Sequence, residues 1–151
     1  VIERMWKEGG ADKDNPRPYL KTVLCRLVSI SALTRKTIGS EIKLALTSLP
    51  RNVEDQNENN ERMILDRFLR SLGEKKPQLV GYNSFDADLQ IMIQRGIING
   101  IQAKEFSRRP DKPWEGIDYF VKGNDIHIDL KSVVGGFGKQ TPSLHEIAVQ
   151  C

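Results

Sequence analysis

Two carboxylates, Asp86 and Asp88, stand two residues apart where one apolar run ends and another of different period begins: Gln78-Leu79-Val80-Gly81-Tyr82-Asn83-Ser84-Phe85-Asp86-Ala87-Asp88-Leu89-Gln90-Ile91-Met92. Carboxylate oxygens at this spacing can hold a hard divalent cation such as Mg²⁺, which keeps water in part of its coordination sphere. They can equally cap a helix, because side-chain oxygens satisfy its first N–H groups and its dipole favours negative charge. Taken as a pair alone, the capping role has the stronger claim, and only the wider pattern can shift it.

The elements that must position the pair are a strand and a helix. Leu79 to Tyr82 reads as a short strand; after the turn, Leu89, Ile91, Met92, Ile93, Ile97, Ile98 and Ile101 form a helical pattern that closes near Asn99-Gly100. Such a junction delivers side chains to the carboxyl end of a strand, where α/β folds gather their chemistry. Upstream, Glu61 to Gly73 puts Ile64, Leu65, Phe68, Leu69 and Leu72 on one side of a helix, with Gly73 as the expected C-cap and Pro77 barring continuation. Leu20 to Thr34 reads as a long strand with one well-buried face, Thr37 to Ser40 as a turn, and Glu41 to Leu49, with its period of two, as the antiparallel partner. Strand, helix and strand in that order imply a right-handed parallel crossover into Leu79–Tyr82.

Downstream, residues 102–124 have no sustained period and read as a long loop. Ile126 to Leu130 reads as a further strand, with Asp129 capping a helix from Lys131. Gly135 to Lys139 reads as a flexible turn, and Ser143 and Glu146 have capping-box spacing for a last helix. Residues 1–18 read as an N-terminal extended segment after at most a helical turn, because Gly9-Gly10 and Pro16-Arg17-Pro18 resist helix. Residues 19–151 make up the domain proper. The expected class is α/β, a mixed β-sheet flanked by helices.

A chain of 151 residues fits one domain with a single core. The net charge of +3 permits a phosphate-bearing partner without demanding one. No window approaches the roughly 20 apolar residues of a membrane span, and the first residues lack the form of a secretory signal, so no membrane association and a cytoplasmic location are expected. Cys25 and Cys151 lack Cys-x-x-Cys spacing and read as thiols outside any disulfide. The chain opens without an initiator Met and stops inside a helical pattern, which reads as a fragment. No feature specifies an oligomeric state.

The segment Gln78-Leu79-Val80-Gly81-Tyr82-Asn83, followed after four residues by Asp88-Leu89 and then Arg95, resembles the second exonuclease motif of the predicted 3′–5′ exonucleases related to the proofreading domain of family B DNA polymerases. His127-Ile128-Asp129-Leu130 and Ser143-Leu144-His145-Glu146-Ile147-Ala148 resemble segments that follow it there, and Leu27-Val28-Ser29-Ile30-Ser31 resembles the second strand. The resemblance spans roughly 17–151 and implies a ribonuclease H-like fold of the DEDD superfamily. It implies hydrolysis of phosphodiester bonds from the 3′ end of a nucleic acid, a single strand being the expected substrate, with two Mg²⁺ or Mn²⁺ ions. Asp88 takes the place of the motif's metal-binding aspartate. Asp86 would need a two-residue shift, which leaves it a lesser metal candidate. Asn83 would position the terminal nucleotide or the turn, and Tyr82 and Phe85 would line the pocket. Ala87 stands where the family has Phe. The family's first motif, Asp-x-Glu, would lie before residue 1 and its third beyond Cys151, so this chain would supply one of four carboxylates. The rival reading is a catalytically inactive nucleic-acid-binding or interaction module of the same fold.

Other residues have blander roles. Gly135 to Thr141 lacks the spacing of a phosphate-binding loop. His127 and His145 have no metal-ligand partners at suitable spacing and read as structural or surface residues. Trp114 reads as an anchor of its loop rather than a base platform, and Arg108, Arg109, Lys112 and Lys139 read equally as phosphate contacts or as a solvated face.

Overall fold

The core grows from one long helix, α2 (Glu61–Lys75). In the computed structural model, which describes residues 2–16, 22–112, 114–135 and 141–150, Asn60 opens this helix by accepting the Met63 N–H with its side chain. The helix ends where Lys76 turns left-handed (φ 48°) and returns its N–H to the Leu72 carbonyl. The predicted stripe is the buried one. Leu65, Leu69 and Leu72 pack with Leu89 and Met92 of α3 (Asp88–Ile98), Phe106 of α4 (Lys104–Ser107) and Tyr119. Gly73 is not the C-cap expected of it. It lies buried inside α2, where a Cβ would come within 2.7 Å of the Phe106 backbone nitrogen, so its missing side chain lets α4 lie against the helix.

Glu61 ties the helices together. Its carboxylate, 7% exposed, accepts the Leu27 N–H at 2.8 Å, Arg95 Nε at 2.7 Å, Arg95 Nη2 at 2.5 Å and Asn99 Nδ2 at 3.2 Å. Arg95, foremost through these hydrogen bonds, holds the Glu61 carboxyl down to about 2 against the opposing cost of burial. This pair sets the last turn of α3 against the first turn of α2, and so sets where the amino end of α3 points.

β1 (Ile30–Ile38) and β2 (Glu41–Leu49) form the expected antiparallel hairpin, with Ile30 opposite Leu49 and Ile38 opposite Glu41. The first strand differs from the sequence reading. Thr22–Leu24 is a 3-10 turn, and the chain is irregular from Cys25 to Ser29, so the ladder begins only at Ile30 and absorbs half of the expected turn. Before Ile30, the 3-10 turn lies against α3 and Leu27 packs on the core, while Val28 is exposed. The well-buried hairpin face is also absent. Leu33, Leu44 and Leu46 are exposed, because the described helices pack on one another and on the 3-10 turn rather than along the strands.

β3 (Leu79–Gly81) pairs in parallel, but with β4 (His127–Asp129) rather than with β2; Leu79 stands opposite His127 and Gly81 opposite Asp129. The long connection through α3 and α4 is what a parallel pair requires. The chain is α/β, its antiparallel and parallel pairings forming two two-stranded sheets among the described residues. The amino-terminal segment is more helical than expected, with α1 at Ile2–Glu8. After α5 (Leu130–Gly135), α6 (Leu144–Gln150) opens with both capping-box bonds: Glu146 N–H to Ser143 Oγ at 3.2 Å and Ser143 N–H to Glu146 Oε2 at 2.6 Å. The expected strand start at Leu20, most of the Gly135–Lys139 turn, and Cys151 lie outside the described residues. Among the described residues no helix is long and apolar enough to cross a membrane.

Candidate catalytic site

The turn from β3 to α3 depends on two local choices. At Gly81 a Cβ would lie 2.5 Å from both Cβ and Oγ of Ser84, so only glycine lets the chain fold back on the strand. Asn83 sits at φ 56°, a left-handed conformation that asparagine tolerates better than most residues.

Asp129 holds that turn from the neighbouring strand. Its Oδ1 accepts the Asn83 N–H at 2.7 Å and the Lys131 N–H at 3.1 Å, while Oδ2 accepts the Phe85 N–H at 3.0 Å. The capping role expected of Asp129 is therefore present, together with a clamp that sequence reasoning missed. Lys131 Nζ donates to Asn83 Oδ1 at 3.1 Å, so Asn83 is held at both backbone and side chain.

A second set of contacts braces the turn from β4 and the loop before it. His127, 5% exposed, faces the Tyr119 carbonyl through Nδ1 at 3.1 Å. A carbonyl can only accept, so Nδ1 carries a proton, and in the neutral ring Nε2 accepts the Ser84 hydroxyl at 3.0 Å. Phe85 stacks on the same imidazole, centroids 5.5 Å apart. The structural role expected of His127 is thereby specified. Lys122 Nζ covers Phe85 at 4.8 Å from the ring centroid and binds Asp86 Oδ1 at 2.8 Å. The Tyr82 hydroxyl donates to the Pro142 carbonyl.

α3 starts at Asp88, and its N-cap position is Ala87, which makes no side-chain capping bond. The first N–H groups are taken instead by the turn: Ala87 N–H by the Asn83 carbonyl at 3.0 Å and Leu89 N–H by the Ser84 carbonyl at 2.8 Å. Neither aspartate is the N-cap, which removes the stronger of the two initial readings. Asp88 is exposed and makes no hydrogen bond or ion pair with another side chain among the described residues. Its carboxyl is nonetheless pushed above the ordinary aspartate range, first by desolvation and also by the charge of Asp129, against a lowering from its own backbone N–H.

The structure therefore brings Asn83, Phe85, Asp88 and Asp129 to one turn. Tyr82 is turned to Pro142 and Asp86 to Lys122. Among the described residues, no three His, Cys, Asp or Glu side chains gather into a group that could hold a metal. Ser84, Lys122 and Lys131 are the supporting residues not foreseen, and the partners of His127 were not foreseen either. The signal for them was the register of β3 with β4, which places Asp129 beside Gly81 but is not written in either segment alone.

The turn that ends β3 is thus braced from β4 and the loop before it, and the helix after it opens on Asp88, which has no side-chain partner among the described residues. The chain belongs to the family of predicted 3′-5′ exonucleases related to the exonuclease domain of PolB, whose model matches residues 17–151, and its fold is ribonuclease H-like. No curated protein and no solved structure matches it.

Proposed function

We propose that the domain is a metal-dependent 3′-5′ exonuclease acting on single-stranded nucleic acid, with Asp88 as a ligand of Mg²⁺ or Mn²⁺. The observation that carries this reading is the placement of Asp88: an exposed carboxylate at the end of a braced turn, near the charge of Asp129 and bound by no other side chain among the described residues. Hard oxygen donors suit these ions, and a cation beside Asp88 would relieve its repulsion with Asp129. When bound, such ions activate water and stabilise the leaving 3′ oxygen.

The chain's own residues hold the site still. Asp129 positions rather than ligates, since its oxygens already accept three N–H groups. Asn83, fixed by Asp129 and Lys131, keeps the turn at one angle to the strand and offers its amide towards a terminal nucleotide. Phe85, packed on His127, and Tyr82 form the walls beside it. Asp86, engaged by Lys122, is the lesser candidate for metal. In this reading the remaining carboxylates lie outside the described residues.

The test is Mg²⁺- and Mn²⁺-dependent shortening of 5′-labelled DNA and RNA single strands by the full-length encoded polypeptide, beside Asp88→Ala. Stepwise loss from the 3′ end, abolished in the variant, is expected. Binding without shortening would instead make this a nucleic-acid-binding module of the same fold.

A further inference from the structure

Trp114 is 78% exposed, so it does not anchor its loop as the sequence reading has it. An indole left in water contributes little to the fold; Lys112 Nζ stands 5.9 Å from its ring centroid and pairs with Glu115 at 3.0 Å. Arg108 and Arg109 line an adjoining cleft of about 410 Å³ together with Lys76. None of these three cations makes an ion pair among the described residues. Arg109 lies over the Phe120 ring at 4.4 Å, which holds its guanidinium plane in place. The same segment continues to Lys122, which contacts both Asp86 and Phe85. The loop therefore leads from the turn that carries Asp88 to an exposed aromatic flanked by cations.

We infer that this loop is a secondary contact for a single-stranded nucleic acid: a base stacks on Trp114 while neighbouring phosphates meet Arg108 and Arg109. The strand is the one whose 3′ end the turn receives, so the inference rests on the exonuclease reading for its direction. Stacking on an aromatic combined with cations along the backbone is the general chemistry of single-strand binding, and every base has a face to stack. Glu105, Asp111 and Glu115 share the cleft, so attraction is local to the guanidinium groups. That mixture disfavours a duplex, whose phosphates are denser than those of a single strand.

The experiment uses the full-length polypeptide in EDTA, so that no hydrolysis occurs, with Trp114→Phe run beside it so that the signal missing from the variant is the one Trp114 gives. Unlabelled DNA and RNA single strands and a duplex are titrated in separate arms while indole fluorescence is followed. Quenching by one or both single strands is expected, and the arms tell DNA from RNA. Trp114→Ala should weaken binding of a labelled strand about tenfold, the scale of one lost base stack. Arg108→Ala with Arg109→Ala should lower the slope of log affinity on log salt by about 1.4, at roughly 0.7 per phosphate contact. Unquenched fluorescence with full affinity in Trp114→Ala would overturn the inference, even if the strand is still shortened when metal is added. Quenching with the expected losses, in a protein that never shortens a strand, would leave this contact standing and remove the exonuclease reading instead.

Discussion

Glu61 and Asp88 stand at opposite ends of the α3 contact network, and their carboxylates are treated in opposite ways. Glu61 is nearly out of water and accepts from Leu27, Arg95 and Asn99, which holds its carboxyl down to about 2. Asp88 accepts from no other side chain among the described residues, and its carboxyl is pushed up by desolvation and by Asp129. Its bonds make Glu61 part of the packing between α2 and α3, whereas no other described side chain holds Asp88. A carboxylate whose lone pairs are all engaged has nothing left for a cation or substrate. Asp129 belongs with Glu61 by this criterion, although it lies beside Asp88, because its oxygens are engaged by the N–H groups of Asn83, Phe85 and Lys131.

Breaking the structural side should cost the most stability. Glu61→Ala leaves Arg95, only 17% exposed, without its partner, and should destabilise by about 3–5 kcal/mol in urea unfolding. A loss under about 1 kcal/mol would mean that the pair behaves as a surface bridge. Asp129→Asn keeps the shape but weakens the clamp on the turn. It should lower kcat about 10- to 100-fold with KM little changed, because the turn that carries Asp88 is then held less firmly. Equal losses in KM would mean that Asp129 contacts the substrate directly.

The packing that orients the two ends is tested at Gly73. Gly73→Ala forces a Cβ towards the Phe106 backbone, and should cost about 1–3 kcal/mol of unfolding free energy. An unchanged midpoint would show that α4 is not pressed against α2.

The pH dependence separates the carboxylates again. Because the folded value for Glu61 lies below its unfolded value near 4.5, the folded state releases the proton more readily, and the stability this gives is complete above about pH 4.5. That stability is lost as the pH falls towards about 2, with a slope of at most about 1.4 kcal/mol per pH unit, and Glu61→Gln should remove the slope. For Asp88 the sign is reversed: its raised value means that protonation favours the folded state. The smallest effect follows from this. Asp88→Asn should change unfolding free energy by no more than about 0.5 kcal/mol, and any change should be towards greater stability.

Much of this organisation could be read from the residues. The apolar stripe of α2, the limits of β2 and the capping box at Ser143 and Glu146 are local patterns, and local physics decides them. The position of Asp88 at the start of α3 was legible for the same reason, since a Gly-Tyr-Asn turn between a strand and a helical pattern has few ways to fold. What could not be read depends on partners distant in sequence. Gly73 looked like a helix end because the approach of Phe106 is invisible from α2 alone. Leu24 and Leu27 looked like strand residues because apolar side chains that pack on a helix and those that line a ladder are the same residue types. Asp129 showed only its local capping role, because its hold on Asn83 and Phe85 exists only once β4 lies beside β3 in one register.

The contrast between Glu61 and Asp88 is tested most directly by one preparation of Asp88→Asn measured for both folding and activity. Its unfolding midpoint is compared with the unaltered full-length polypeptide, and the same samples are given a 5′-labelled single strand with Mn²⁺. The account predicts a midpoint equal to or above that of the unaltered protein, with shortening from the 3′ end lost. Shortening at an unaltered rate, or a variant that loses its fold, would contradict it, since Asp88 would then be either irrelevant to the chemistry or part of the structure.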